Sequence, residues 1–385
     1  MTSEIIEFQT GLDYLKSQVK LLPKQPGVYR MFDADGQALY VGKAKWLSNR
    51  VTSYTQPNKL TNRLLRMVAE TRHLEITVTH SEVEALLLES NLIKKLKPRY
   101  NILLKDDKSF AYIIVTEDHP FPQLTKHRGT RRKAASYYGP FASASSVNKT
   151  LASLSRAFLL RNCSDSIFAS RTRPCLQYQI KRCTAPCVDK VAKTDYEKQV
   201  KAAKQFLSGY SDSVQRDYAT QMQNASDALE FETAAIWRNR IKALTAIQAN
   251  QDINLKSLHE ADIIAASISG GICCVQVFFI RNASNYGNTA FFPRTNNSED
   301  IQSVLTAFIG QFYSDKIPAS LILVNERPRE VKLLESALSE QSGSKIEISK
   351  PERGDRRKIM TMAVRNAEEA LARKLADTSS QRRLL

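Results

Sequence analysis

Two tripeptides constrain this chain more than any other feature: Gly27-Val28-Tyr29 and Tyr40-Val41-Gly42, separated by ten residues. The β-branched and aromatic runs Val28 to Phe32 and Ala38 to Val41 read as short strands, with Asp33-Ala34-Asp35-Gly36 as the turn between them. Such a hairpin sets Tyr29 and Tyr40 on neighbouring strands. Lys43, Lys45, Arg50 and Tyr54 follow at once. Phenols beside ammonium and guanidinium groups suit phosphodiester chemistry. The cations hold the phosphate and its developing charge, and a phenol with a lowered pKa can relay a proton. An ordinary hairpin with surface lysines would account equally well for the tyrosines taken alone.

Glu89 is the sharpest single residue. On a helix starting near Glu82, capped by Ser81 and Glu84, the residues Ala85, Leu86, Leu92, Ile93 and Leu96 define an apolar arc with Glu89 in its middle. A carboxylate facing a core is costly unless it holds a metal or a cation. A salt bridge to Arg50 or Arg99 is the plain alternative. One carboxylate completed by water and phosphate suits Mg²⁺ or Mn²⁺, and implies a single-metal hydrolase.

The net charge of +17 is unevenly spread over the 385 residues. Residues 1–190 hold 30 Lys+Arg against 16 Asp+Glu, whereas the remainder holds 26 against 23. A basic front beside a nearly neutral rear predicts a polyanion-binding front half. Two basic stretches flank the tyrosine and glutamate set: Lys94, Lys95, Lys97, Arg99, Lys105 and Lys108, then Lys126, Arg128, Arg131, Arg132 and Lys133. Together with Lys45, and interleaved with Tyr100, Phe110, Tyr137 and Tyr138, they suit double-stranded DNA. No apolar run reaches eighteen residues and the N-terminus lacks a basic-then-apolar leader, so the expectation is a soluble, cytoplasmic protein without a membrane partner.

Cys163, Cys175, Cys183 and Cys187 are spaced C-x₁₁-C-x₇-C-x₃-C among arginines. In a cytoplasmic chain, four thiols argue for a metal site over disulfides. The spacing lacks the paired C-x₂-C of a zinc ribbon, whereas a [4Fe–4S] cluster tolerates irregular spacing; zinc stays the alternative. Cys273 and Cys274 fall in an apolar strand, where packing explains them. A helical pattern then runs from about Tyr196 to Gln248, and the rear reads β-β-β-α-β-α-β-α. That rear order resembles a ribonuclease H-like fold, yet Asp262 is its single early carboxylate, too few for a two-metal nuclease.

The run from Pro26-Gly27-Val28-Tyr29 through Leu39-Tyr40-Val41-Gly42-Lys43-Ala44-Lys45 to Arg50 and Tyr54 resembles the GIY-YIG nucleases, and within them the UvrC family of bacterial nucleotide excision repair. Glu89 and Asn101 fall where that family has its metal-binding glutamate and a late asparagine. The resemblance implies that Tyr29 or Tyr40 activates water, with Lys43 lowering the phenol's pKa and Tyr29 preferred. Arg50 then binds the scissile phosphate, and Tyr54 and Asn101 position substrate. It also implies an iron–sulfur cluster on the four cysteines. Met222-Gln223-Asn224-Ala225-Ser226, Leu229-Glu230-Phe231-Glu232 and Ala234-Ala235-Ile236-Trp237-Arg238 are similar to a UVR segment, which implies docking on UvrB with Phe231 as anchor between Glu230 and Glu232, supported by Leu229 and Trp237.

The expected class is therefore α+β. An N-terminal helix (1–22) precedes a GIY-YIG domain (23–104), a basic DNA-binding extension (105–159) and a cysteine-rich segment (160–190). A helical region (196–250) containing the UVR segment (213–248) leads to a degenerate ribonuclease H-like domain (258–385). UvrC-like chains continue into an active ribonuclease H-like domain and helix-hairpin-helix motifs, so a chain stopping at Leu385 is expected to cut 3′ to a lesion and to lack the 5′ incision. A stand-alone GIY-YIG endonuclease, or a non-cutting adaptor for UvrB and DNA, are the rival readings.

Overall fold

The computed structural model describes residues 2–104, 110–130, 134–249, 258–295 and 299–383. In chain order its elements are α1 (Thr2–Val19), β1 (Gly27–Phe32), β2 (Ala38–Ala44), α2 (Leu47–Ser53), α3 (Asn62–Glu70), β3 (His73–Val78) and α4 (Glu82–Leu96). Then come β4 (Ala111–Thr116), β5 (Leu124–His127), β6 (Ala135–Phe141), α5 (Ala144–Phe158), α6 (Asp165–Ala169), α7 (Leu176–Gln179), α8 (Lys193–Leu207), α9 (Ser211–Asp227) and α10 (Phe231–Ala249). The rear holds β7 (Glu260–Ser269), β8 (Ile272–Arg281), β9 (Ser284–Phe291), α11 (Ile301–Phe312), β10 (Leu321–Val324), α12 (Val331–Ser342), β11 (Glu347–Ser349) and α13 (Gly354–Arg383). The rear order matches the β-β-β-α-β-α-β-α expectation, and the chain is mixed helix and sheet as expected.

Two compact units divide the chain: Met1–Asp107 with Asp262–Val277 and Ala290–Leu385, and Lys108–Ala261 with Phe278–Thr289. In the first, β1 is the centre of a β2-β1-β3 antiparallel sheet. Its alternating side chains separate two cores. Tyr29, Met31, Leu39 and Leu74 pack with Leu12, Leu15, Val51 and Met67 on one face, and Val28 and Val41 pack with Ala85 and Ile93 of α4 on the other. Gly27 is required by close approach, since a Cβ there would stand 2.3 Å from the Thr77 carbonyl oxygen of β3. Ser81 caps α4 through Glu84 N–H at 3.1 Å, and Glu84 returns to the His80 N–H at 2.8 Å, so the reciprocal cap forms one residue further out than the standard box.

Strands β7 to β11 form a sheet in the order β11-β10-β7-β8-β9, with β10 parallel to both β7 and β11. Asp262 is buried there, accepting from the Tyr313 hydroxyl at 2.7 Å and the Ala319 N–H at 3.1 Å, which is structural use of a carboxylate. In the second unit, β5-β4-β6 packs with α5, α8, α9 and α10 around Phe158, Tyr196, Phe206 and Leu244. Strand β6 and helix α5 have no counterpart in the sequence reading, which carried the basic extension through 105–159. Its alternation is obscured by Ser, Tyr and Pro, and α5 by five serines and threonines whose hydroxyls compete for the backbone.

Candidate active site

The hairpin register places Tyr29 opposite Gly42 and Tyr40 opposite Met31. The Tyr29 and Tyr40 rings lie on one face, with centroids 6.1 Å apart. Gly42 is what permits this. A Cβ on it would stand 2.3 Å from the Tyr29 hydroxyl and 2.5 Å from the ring carbon that bears it. Helix α2 follows β2 directly and returns Arg50 and Tyr54 to the same face. The Tyr29 and Tyr54 hydroxyls are 2.7 Å apart, Arg50 Nε donates to the Tyr29 hydroxyl at 3.3 Å, and the Arg50 guanidinium lies 5.5 Å over the Tyr54 ring. The sequence reading thus recovered a connected group: three phenols and one guanidinium.

Their electrostatics differ from the expectation. All three phenols are held above the ordinary tyrosine value: Tyr29 and Tyr54 chiefly by burial, Tyr40 chiefly by Tyr54 and then by burial. Arg50, not Lys43, is the cation that opposes the rise at Tyr29. The expectation that Lys43 lowers a phenol's pKa therefore fails, because its ammonium is spent elsewhere: Nζ pairs with Glu330 at 2.6 Å.

Glu89 sits as its helical position foretold. Its Oε1 accepts the Lys43 backbone N–H at 2.8 Å, and its pKa is pushed up to about 7, first by burial, with the Lys43 N–H and ammonium opposing and Glu330 adding to the rise. The alternative salt bridges do not form, since Arg99 pairs with Glu70 at 2.7 Å and Arg50 with the phenols. A partly buried acid whose charge is only partly compensated is a suitable seat for a divalent cation. Among the described residues no group of three or more His, Cys, Asp or Glu could hold a metal, so an ion here would take one protein carboxylate and fill its shell with water and phosphate.

Tyr29, Tyr40, Lys43, Arg50 and Glu89 line one cavity of about 710 Å³. Asn101 also lines this cavity, with its side chain engaged by the backbone. Its side chain accepts the Val41 N–H at 2.9 Å and donates to the Val41 carbonyl at 2.8 Å, clamping the edge of β2. Glu330 is the residue that sequence reasoning missed. It stands at the start of α12 with φ 56°, nearly three hundred residues from Lys43, and no local pattern could have marked it.

The other predicted sites are divided. Lys45 pairs with Glu82 at 3.5 Å and Lys94 with Asp315 at 3.1 Å, so these and Arg99 are not free phosphate binders; among the described residues Lys95, Lys97, Lys126 and Arg128 make no ion pair. Lys105, Lys108, Arg131, Arg132 and Lys133 lie outside the described residues. Cys163, Cys175, Cys183 and Cys187 are all free thiols, and Cys183, pushed up to about 11 mainly by burial, also feels the charge of the other three. The turn between α9 and α10 exposes Leu229 and Phe231 by 73% and 66% of their surfaces, with Glu230 and Glu232 also exposed. Trp237 is not part of that tip. It packs 5.0 Å from Tyr218 under the Arg240 guanidinium at 4.5 Å.

Four family profiles match in succession: the UvrC-like GIY-YIG domain over 25–102, the UvrC/Cho excinuclease middle domain over 110–206, the UvrB/uvrC motif over 212–247, and the UvrC ribonuclease H-like domain over 260–374. The chain belongs to the UvrC family. It is 52% identical over 375 residues to the UvrABC system protein C of Paramagnetospirillum magneticum, covering 97% of this chain and 60% of the relative. It is 53% identical over 376 residues to that of Rhodospirillum rubrum, covering 97% and 59%. The chain thus spans about 60% of the curated relatives it matches. A magnesium-bound GIY-YIG N-terminal endonuclease domain of UvrC from Thermotoga maritima is 43% identical, over 23% of this chain and 96% of that one, with a TM-score of 0.21. Among the described residues no helix is long and apolar enough to cross a membrane.

Proposed function

We propose that this UvrC-family chain is a metal-dependent DNA endonuclease of nucleotide excision repair, hydrolysing one phosphodiester on the 3′ side of a lesion in DNA prepared by UvrB. The observation that carries this reading is the joint placement of Tyr29, Arg50 and Glu89 around one cavity, with the Tyr54 hydroxyl 2.7 Å from that of Tyr29. Arg50 reaches the cavity as the cation nearest the phenols and receives the scissile phosphate. Tyr29 takes the proton of the attacking water as a phenolate, its own proton having first left to solvent by way of the Tyr54 hydroxyl at 2.7 Å; Arg50 Nε–H points at the Tyr29 oxygen and stabilises the negative charge there. The high resting pKa of Tyr29 means that this phenolate forms only with cations close by. Tyr40 packs against both rings and holds their orientation.

Glu89 would hold Mg²⁺ or Mn²⁺, which supplies charge to the phosphate and the leaving oxygen when bound. Glu330 occupies Lys43, so an incoming phosphate competes with that carboxylate for the ammonium. Exposed Lys95 and Lys97 take phosphates in the first unit, and exposed Lys126 and Arg128 in the second. Phe231 and Leu229, exposed at the tip of a helical hairpin with a charged rim, form the UvrB-docking surface. No metal-holding group of thiols forms among the described residues, so the [4Fe–4S] cluster that the family resemblance implies for Cys163, Cys175, Cys183 and Cys187, with zinc as the alternative, would need the four thiols to draw together on loading; anaerobically purified protein should then be brown, with about four irons per chain, and colourless protein with one zinc would reassign the site. The deciding experiment is nicking of a UvrB-bound lesion duplex in Mg²⁺ by the chain and its Arg50→Ala variant. Equal nicking by both, or nicking without divalent metal, defeats the reading.

A further inference from the structure

Between Asp165 and Asp189 lie twenty-three residues without a carboxylate. Within that stretch Arg171, Arg173, Lys181 and Arg182 have no salt bridge among the described residues, and the two bracketing acids do not neutralise them. Asp165 is held by the buried guanidinium of Arg161 at 2.5 Å. Arg161 also donates to the Phe121 and Cys163 carbonyls at 2.6 and 3.0 Å, so it anchors the segment and takes no part in its surface.

The same stretch exposes apolar side chains that a folded chain normally hides. Leu176 is 64% exposed, and Ile167, Tyr178 and Ile180 are also open to solvent. The cause is local geometry. Helix α7 makes a single turn, and Lys181, at φ 55°, reverses the chain while Arg182 N–H returns to the Gln177 carbonyl at 2.8 Å. Leu176 and Ile180 are therefore set one turn apart on the same side and Tyr178 on the other side of the turn, all three open to solvent instead of folding inward. Arg171, Arg173 and Leu176 together line an open depression of about 630 Å³.

We propose that this edge grips DNA at an unstacked or distorted step, Leu176, Tyr178 and Ile180 lying against exposed base faces while Arg171, Arg173, Lys181 and Arg182 take the flanking phosphates. The proposal rests on the DNA-repair reading above and deepens it by naming a second contact with the damaged duplex, made by residues other than those of the cleavage cavity. Charge decides the class of partner, since four uncompensated cations with no acid among them suit a polyanion. The apolar side chains decide the kind of polyanion site. Intact duplex presents phosphates and groove edges, which give an exposed leucine or isoleucine nothing to bury against. A step whose stacking is already broken presents base faces, and apolar wedges and aromatic platforms are the side chains that use them.

The test measures binding of the whole chain to two duplexes of equal length, one fully paired and one with a small internal bubble, across a salt series and without divalent metal. Leu176→Ser with Tyr178→Ala should weaken binding to the bubble by about tenfold and to the paired duplex by less than about twofold, as loss of a stacked base predicts. Arg171→Ala with Arg173→Ala should weaken both, lowering the log–log salt slope by about one per lost phosphate contact. Ile180→Ser serves as an independent second variant, and thermal unfolding of each checks that the fold is kept. Equal losses on the two duplexes for the apolar variants, or none on either, overturn the proposal. So does an unchanged DNA affinity with loss confined to UvrB-dependent nicking, which would give the edge to a protein partner. The nuclease reading is checked separately by metal-dependent nicking of wild type: its failure leaves the bubble preference measurable, and its success leaves this proposal open to defeat.

Discussion

Replacing Glu89 with Gln should make the metal-free protein more stable at alkaline pH while abolishing its chemistry. The Glu89 carboxyl is shifted from an ordinary value of 4.5 to about 7, chiefly by burial. A raised pKa on an acid means that the folded state binds the proton more tightly than the unfolded chain does. Stability linked to this group is therefore full below about pH 4.5 and is lost as pH rises to about 7. A shift of roughly 2.5 units at 1.36 kcal/mol each sets an upper figure of about 3 kcal/mol for the ionised, metal-free protein. Glutamine has the same shape, carries no charge and can still accept the Lys43 N–H through its amide oxygen. Denaturant unfolding of both proteins in EDTA should give similar stabilities near about pH 5, with the variant ahead by about 2–3 kcal/mol near about pH 8. Adding Mg²⁺ at the higher pH should close the gap by stabilising only the wild type, as a ligand of the native state does. A variant less stable than wild type at both pH values, or a wild type indifferent to Mg²⁺, would refute the account of Glu89 as a metal seat maintained at a cost in stability.

Gly42→Ala pushes a methyl into the Tyr29 hydroxyl, which lies 2.3 Å from the Cβ position; overpacking of this kind costs about 1–3 kcal/mol, and displacing the phenol by about 1 Å should lower the nicking rate on the order of a hundredfold, read by single-turnover assay. Phe231→Ala should weaken UvrB binding by about thirtyfold, near 2 kcal/mol, without changing affinity for DNA alone, and titration calorimetry with UvrB checks it. Glu330→Gln frees Lys43 from a half-exposed pair worth at most about 1 kcal/mol, so DNA affinity at low salt should rise by up to about fivefold; a fall in nicking instead would mean that the carboxylate contributes to the reaction.

Local patterns wrote much of this protein into its sequence. The hairpin, α4 and its cap, and the inward-facing Glu89 follow from periods of two and 3.6 residues with turn chemistry at the ends, and each of these lies within about twenty residues of chain. The three phenols and Arg50 were legible for the same reason: they fall inside a single hairpin-and-helix unit, Val28 to Tyr54, so local folding alone brings them together. The family and the order of its parts were legible because specific motifs recur along the whole chain.

What tertiary structure decided were the partners. Asn101 reads as polar and available, and only the fold turns it inward on to the Val41 backbone. Trp237 reads as an exposed anchor until Tyr218 and Arg240 close on it. Lys94 and Arg99 read as phosphate binders until Asp315 and Glu70 take them. Lys43 reads as the cation that tunes a phenol, yet Glu330, 287 positions later in the chain, takes its ammonium and leaves that task to Arg50. A side chain's type and helical face are local properties that sequence spacing fixes. The charge that neutralises it, and hence its pKa and its freedom to meet substrate, comes from residues that only long-range packing brings within a few ångströms.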